Sequence, residues 1–170
     1  MINYCELARL SLSHFLGRGR IVSVPERVGR RAGCFVSLHE ANGDLRGCIG
    51  TIQPVREDLV QEIIENAVSA GTRDPRFPAV TIEELQDLVF EVSVLAQPEP
   101  VADESLLDPI TYGVVVESGH RRGVLLPDLE GVDSVAQQVA IAKRKARIRE
   151  HEPVNLMRFR VEKYHERSDG

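Results

Sequence analysis

Apolar residues recur along the chain with two periods, and the switches between them divide it into elements. Cys5, Ala8, Leu12, Phe15 and Leu16 stand at helical spacing and predict an amphipathic helix from about Tyr4 to Leu16, stopped by Gly17 and Gly19. A loop carrying Arg18, Arg20, Arg27, Arg30 and Arg31 follows, broken by Pro25. Cys34 to Glu40 reads as a strand, Asn42-Gly43 as a type I′ turn, and Asp44 to Ile49 as the returning strand. A helix is expected from Gln53-Pro54, burying Val55, Leu59, Val60, Ile63, Ala67 and Val68 and ending at Gly71. After the Asp74-Pro75-Arg76-Phe77-Pro78 turn, Thr81 with Glu84 forms a capping-box pattern for a short helix. Leu88, Phe90, Val92 and Val94 then alternate with Val89, Glu91 and Ser93 as a strand.

The acidic, turn-rich stretch from Pro98 to Asp108 divides the chain into halves. Tyr112 to Glu117 and Arg121 to Leu126 read as a second hairpin around Ser118-Gly119-His120. Ser134 with Gln137 is another capping-box pattern, opening a helix through Val135, Val139, Ala142 and Ala146. A last strand is expected after Pro153, with Met157, Phe159 and Val161 inward and Arg158, Arg160 and Glu162 outward.

The halves read as one unit used twice. Gly43-Asp44-Leu45-Arg46-Gly47 matches Gly119-His120-Arg121-Arg122-Gly123, and the same offset carries the helix after Pro54 onto the helix after Gly131. The fold expected is α+β: duplicated hairpin–helix–strand units, about 32–97 and 110–165, within a single domain of 1–170. Two hairpins and two further strands make six strands, enough for one curved, barrel-like, mostly antiparallel sheet with helices packed on it.

Length and composition narrow the class. At 170 residues, 42% apolar and 28% charged, the chain is long enough for a sizeable core and is neither disordered nor collagen-like. Cys5, Cys34 and Cys48 are too few for a disulfide framework and form no CxxC pair, which weighs against a zinc ribbon and for a reducing compartment. The N-terminal residues lack the apolar core of a signal peptide, and no apolar run reaches membrane-spanning length, so a cytoplasmic location is expected. His14, His120, His151 and His165 show no metal-ligand spacing, and no metal or cofactor is expected. The net charge of −5 weighs against nucleic acid, although Lys143, Arg144, Lys145, Arg147 and Arg149 make a basic helix end. Those cations spread around the helix axis and complement its dipole.

The first hairpin gathers the candidate chemistry. A two-residue turn pairs Ala41 with Asp44, His39 with Arg46 and Ser37 with Cys48. Val36, Leu38, Leu45, Gly47 and Ile49 then share the core face, and Phe35, Ser37, His39, Arg46 and Cys48 the other. Two readings are open. In one, Arg46 favours the Cys48 thiolate and His39 serves as its base. In the other, Cys48 is a small packed residue and Arg46 belongs to a structural ion pair. Gly47, matched by Gly123, leaves room for a backbone to approach. Asp74-Pro75-Arg76-Phe77 either shapes a pocket or is a turn locked by an Asp–Arg pair.

Leu45-Arg46-Gly47-Cys48-Ile49-Gly50-Thr51 resembles the signature of the AMMECR domain family. The resemblance extends through Asp74-Pro75-Arg76-Phe77, Glu91-Val92-Ser93-Val94-Leu95, Arg122-Gly123-Val124-Leu125-Leu126-Pro127 and Lys145-Ala146. Within the family the chain is most similar to the prokaryotic form called AmmeMemoRadiSam system protein A. That resemblance implies duplicated β3α2 units around a barrel-like sheet. It also implies association with a Memo-like protein and a radical SAM enzyme. It carries no reaction. The motif residues Arg46, Gly47, Cys48, Gly50, Asp74 and Arg76 are the positions at which it implies a ligand or partner site. The chain departs from the family pattern at Arg147, where Gly is expected, at Asp128, where Gln is, and at Tyr112, where His is.

Three functions follow as expectations. The favoured one is an accessory or adaptor protein of that three-component system, binding a ligand or partner around the motif. The second is an enzyme using Cys48 as nucleophile on a macromolecule, with His39 as base. The third is an RNA-binding module. No complete catalytic constellation is legible in the motif, which favours the first.

Overall fold

The computed structural model describes residues 1–166. Its elements are α1 (Tyr4–Arg18), β1 (Cys34–His39), β2 (Leu45–Thr51), α2 (Leu59–Thr72), β3 (Val89–Leu95), β4 (Glu99–Val101), β5 (Gly113–Ser118), β6 (Arg121–Leu125), α3 (Val135–Lys145), β7 (Asn155–Phe159) and β8 (Val161–His165). They fall into two compact units, one of Met1–Leu95 with the described residues from Glu162 on, the other of Ala96–Val161.

In the first unit α1 starts on Asn3, whose side chain accepts from the amides of Cys5 and Glu6, and stops at Gly19 in the left-handed region. Asp58, which periodicity does not single out, sets the start of α2: its carboxylate accepts from Val60 within the helix and from Val28 and Gly29 of the preceding loop. The residues after Pro54 are therefore loop, and Val55 is exposed. The sheet runs in the order β2-β1-β3-β8. Val36, Leu38, Phe90, Val92 and Val94 meet Ala8, Leu12, Val60, Ile63 and Ala67 of the two helices in one core.

In the second unit α3 opens with the complete Ser134–Gln137 capping box. The sheet order is β4-β7-β5-β6, and Val114, Val116 and Leu125 pack with Val139, Ala142 and Ile148. Each unit thus follows a hairpin with a helix and then a strand that pairs beside the hairpin's first strand: β3 on β1, β7 on β5. The matched glycines do the same work. A Cβ on Gly47 would stand 2.3 Å from the carbonyl oxygen of Ala70, and one on Gly123 would stand 1.9 Å from that of Ala142. Only a glycine lets either edge strand lie that close to its helix.

The α+β class holds, but among the described residues the strands number eight and form two four-stranded sheets, with no closed barrel, instead of one curved sheet of six. The expected last strand breaks at Arg160 into β7, in the second sheet, and β8, in the first. Alternation runs unbroken across that point, so the pattern carries no mark of a change of sheet. On β7 it is Leu156, not Met157, that packs with Val114 and Val116. β4 contains Pro100, which reads as turn in sequence, but at a sheet edge its missing N–H costs nothing. The expected short helix after Thr81 is a 3-10 turn at Leu85–Asp87.

Candidate functional site

The turn of the first hairpin decides where its side chains go. Gly43 has φ +94°, while Asn42 stays at negative φ, which rules out a type I′ turn. The Glu40 amide donates to Asp44 O at 2.8 Å and the Gly43 amide to Glu40 O at 2.9 Å, closing a three-residue loop with left-handed Gly43 at its end. His39 consequently pairs with Leu45, and Arg46 becomes the extra residue of a bulge. The expected pairs His39–Arg46 and Ala41–Asp44 do not form. Ser37–Cys48 pairs as expected, and Leu38 lies opposite Gly47.

The bulge turns Arg46 away from the thiol. It is buried, donates from Nε and Nη2 to the Glu84 carboxylate at 3.1 and 3.2 Å, and from Nη1 to Pro78 O at 2.9 Å. Glu84 is held in turn by the Thr81 amide at 2.7 Å, so the capping-box residues position an arginine partner. Arg46 therefore takes the structural ion-pair role and leaves its thiolate-favouring one unfilled.

Asp74 and Arg76 act on the backbone of Cys48. β2 is an edge strand, and the N–H and C=O of Cys48 point away from β1. Asp74 Oδ2 accepts from the Cys48 amide at 3.0 Å, and Arg76 Nη2 reaches Cys48 O at 3.4 Å. The two side chains pair with each other at 2.8 Å, and Asp74 Oδ1 also takes the Arg76 amide. This clip supplies the donor and acceptor that a neighbouring strand would give and closes the edge to pairing. Asp74 is buried, and its pKa lies far below the usual carboxylate range, chiefly through its hydrogen bond from Arg76.

The Cys48 thiol is half-buried and within 3.2 Å of Ser37 Oγ. Burial raises its pKa; the Ser37 hydroxyl and the Arg76 cation oppose that, while Asp74 and Glu91 add to it. The cation beside this thiol is thus Arg76, and burial outweighs it. Cys5 and Cys34 are fully buried and stand higher, at about 11 and about 12.

On the sheet face that carries Cys48, a polar row crosses three strands: Cys48 on β2, Ser37 on β1 and Glu91 on β3. His39 Nε2 lies 3.9 Å and His165 Nδ1 3.4 Å from Glu91 Oε2, and His39 Nδ1 lies 3.3 Å from Gly43 O. His39 is therefore oriented toward Glu91, not toward Cys48. Glu91 and His165 escape a reading that counts the first as merely outward and the second as surface. Alternation places Glu91 on the right face, but which strands become neighbours is set by tertiary pairing. Among the described residues no group of three or more His, Cys, Asp or Glu side chains is disposed to hold a metal ion. Gly47 serves the approach of α2, and Gly50 lies under the ring of Phe35, 2.3 Å from where its Cβ would stand, so both act through packing.

The second unit repeats part of the arrangement without sulfur. Val124 occupies the position equivalent to Cys48, opposite Val115, and its carbonyl accepts from Lys145 Nζ at 3.0 Å. Lys143 Nζ donates to the carbonyls of Glu150 and Glu152, so the basic helix end is partly consumed in capping backbone. Tyr112 has the guanidiniums of Arg158 and Arg160 at 4.3 and 5.2 Å from its ring centre.

The chain is similar to known proteins over nearly all of its length. A Thermotoga maritima protein is 50% identical, covering 95% of this chain and 96% of its own. A Clostridium acetobutylicum protein is 46% identical over 96% of this chain, which spans only 36% of that longer protein. The crystal structure of the uncharacterized protein PH0010 from Pyrococcus horikoshii superposes with a TM-score of 0.85 at 30% identity, covering 94% of this chain and 88% of that one. The AMMECR1 family model matches residues 5–165, and the chain belongs to that family.

Proposed function

We propose that this protein is an accessory or adaptor component that binds a partner or ligand at the motif face of its first unit, and that its partners are a Memo-like protein and a radical SAM enzyme. The observation that carries the binding role is the commitment of the motif's charged groups to structure. Arg46 is spent on Glu84 and Pro78, and Asp74 with Arg76 on the backbone of Cys48. The Cys48 thiol is held toward its neutral form. What the face offers is a half-buried row of Cys48, Ser37 and Glu91 flanked by His39 and His165. Such a surface supplies hydrogen bonds and shape on a rigid sheet, which serves recognition better than nucleophilic attack. The partnership itself rests on the family resemblance.

Co-expression with the Memo-like and radical SAM proteins of the same organism, followed by size-exclusion chromatography with light scattering, tests this reading. A complex that persists in Cys48→Ser and weakens in Glu91→Gln is expected. No complex with either protein overturns the partnership. A complex formed by Cys48→Ser that loses a covalent modification present on the wild-type partner returns the enzyme reading.

A further inference from the structure

The two units treat the free edge of their hairpins differently. Bonded and non-bonded pairs alternate along an antiparallel hairpin, and Val124, like Cys48, stands in a pair whose backbone groups point outward. In the first unit, residues 73–88 lie between α2 and β3, sixteen in all, and supply Asp74, Arg76, Pro78 and Glu84 to β2. In the second, only nine residues, 146–154, separate α3 from β7. Lys145 takes the place of Arg76 on the outward carbonyl, yet among the described residues nothing accepts from the Val124 amide. Lys145 is exposed, and among the described residues it pairs with no carboxylate. Arg122, the counterpart of Arg46, is committed within its own hairpin, its buried Nε pairing with Glu117 at 3.3 Å.

From this vacancy we infer that the free edge of β6 is a docking strip for an acidic, extended segment of a partner protein. A carboxylate of that segment accepts from the Val124 amide and pairs with Lys145, as Asp74 does with Cys48 and Arg76. The chemistry is that of β-edge recognition, in which backbone groups give affinity and the flanking Lys145 cation selects an acidic residue. The strip lies wholly within the second unit.

Amide exchange and titration of the 15N-labelled full chain test it. In the free protein the Val124 amide should exchange at least about tenfold faster than the Cys48 amide, which Asp74 protects. The probe is the blocked peptide acetyl-Ala-Asp-Ala-Glu-Ala-amide. It should shift the Val124 resonance saturably and slow its exchange, and its Asn/Gln counterpart should bind at least about tenfold more weakly. Lys145→Met should weaken binding by a similar factor and Lys145→Arg should retain it, separating a lost cation from a damaged edge. A Val124 amide already as protected as Cys48 overturns the inference. So does equal response to the neutral peptide, no saturable shift at all, or unchanged affinity in Lys145→Met.

Discussion

The Cys48 amide donates to the Asp74 carboxylate at 3.0 Å, at the outer edge of β2, the last strand of its sheet among the described residues. The carboxylate is buried and also takes the Arg76 amide and guanidinium, whereas Arg76 itself is more than half exposed. Removing the charge at Asp74 thus leaves the Cys48 and Arg76 amides with a poorer acceptor. Asp74→Asn should cost about 2 kcal/mol at neutral pH, a figure set by the charged hydrogen bonds and discounted for the solvated arginine. The folded pKa is depressed, so the stabilisation is fully present above the unfolded value near about 4 and is lost as pH falls toward the folded one. Urea denaturation should therefore show wild type and Asp74→Asn converging at acidic pH. A constant difference down to about pH 3 contradicts the assignment.

Cys48 should be the first of the three thiols to react with an alkylating reagent, yet slower than a free thiol at neutral pH. Cys5 and Cys34 are buried, and Cys48 is only partly so, which sets the order. The raised pKa of Cys48 sets the slowness, and its rate should climb as pH passes through the ordinary thiol range. Competitive labelling read by mass spectrometry checks both. A Cys48 that outpaces a free model thiol at pH 7 contradicts the neutral-thiol assignment.

Gly47 and Gly123 should both be intolerant of a methyl group. At each, the atom met by the new Cβ is a helix carbonyl oxygen, which cannot move without displacing α2 or α3. Gly47→Ala and Gly123→Ala should each cost about 3 kcal/mol or more, the severe end of overpacking. Gly43→Ala should cost less: nothing crowds its Cβ, and only the φ of +94° opposes the change. Denaturant midpoints of the three variants give the ranking.

What the sequence betrays and what it hides follow from the range of each interaction. The Ser134–Gln137 box, the α1 helix and the Ser37–Cys48 pairing rest on residues close in the chain, and periodicity or capping chemistry exposes them. The glycine repeat was legible for a similar reason: one spatial demand at Gly47 and Gly123 imposes one residue type. The turn is ambiguous in sequence because Asn-Gly serves both a two-residue and a three-residue loop, and the surrounding strands select between them. That single residue of slack moved Arg46 from the thiol to Glu84. Glu91 and His165 entered the candidate site through β1–β3 pairing and through the last strand's change of sheet, both set by contacts distant in sequence.

Arg147 offers a stabilising substitution. α3 ends with the Ile148 amide donating to Lys143 O at 2.9 Å, the backbone closure of a Schellman motif, and Ile148 buries its side chain just beyond. That closure forces residue 147 into the left-handed region, and Arg147 sits there at φ +59°. Any residue with a Cβ is strained in this conformation by about 1–2 kcal/mol, which gives a physical reason for the glycine that the family resemblance leads one to expect here. Arg147 is held through its backbone, its amide donating to Arg144 O at 3.1 Å and its carbonyl accepting from the Arg121 guanidinium at 3.0 Å, and a glycine keeps both. Against the gain stands the loss of a cation at the helix C-terminus, worth a few tenths of a kcal/mol when exposed (about 0.3). Arg147→Gly should therefore raise stability by about 1 kcal/mol, read as an increase of about 2–4 °C in Tm. Arg147→Ala, which removes the same charge and keeps the Cβ, should give no gain. Equal melting temperatures for the two variants contradict the strain argument.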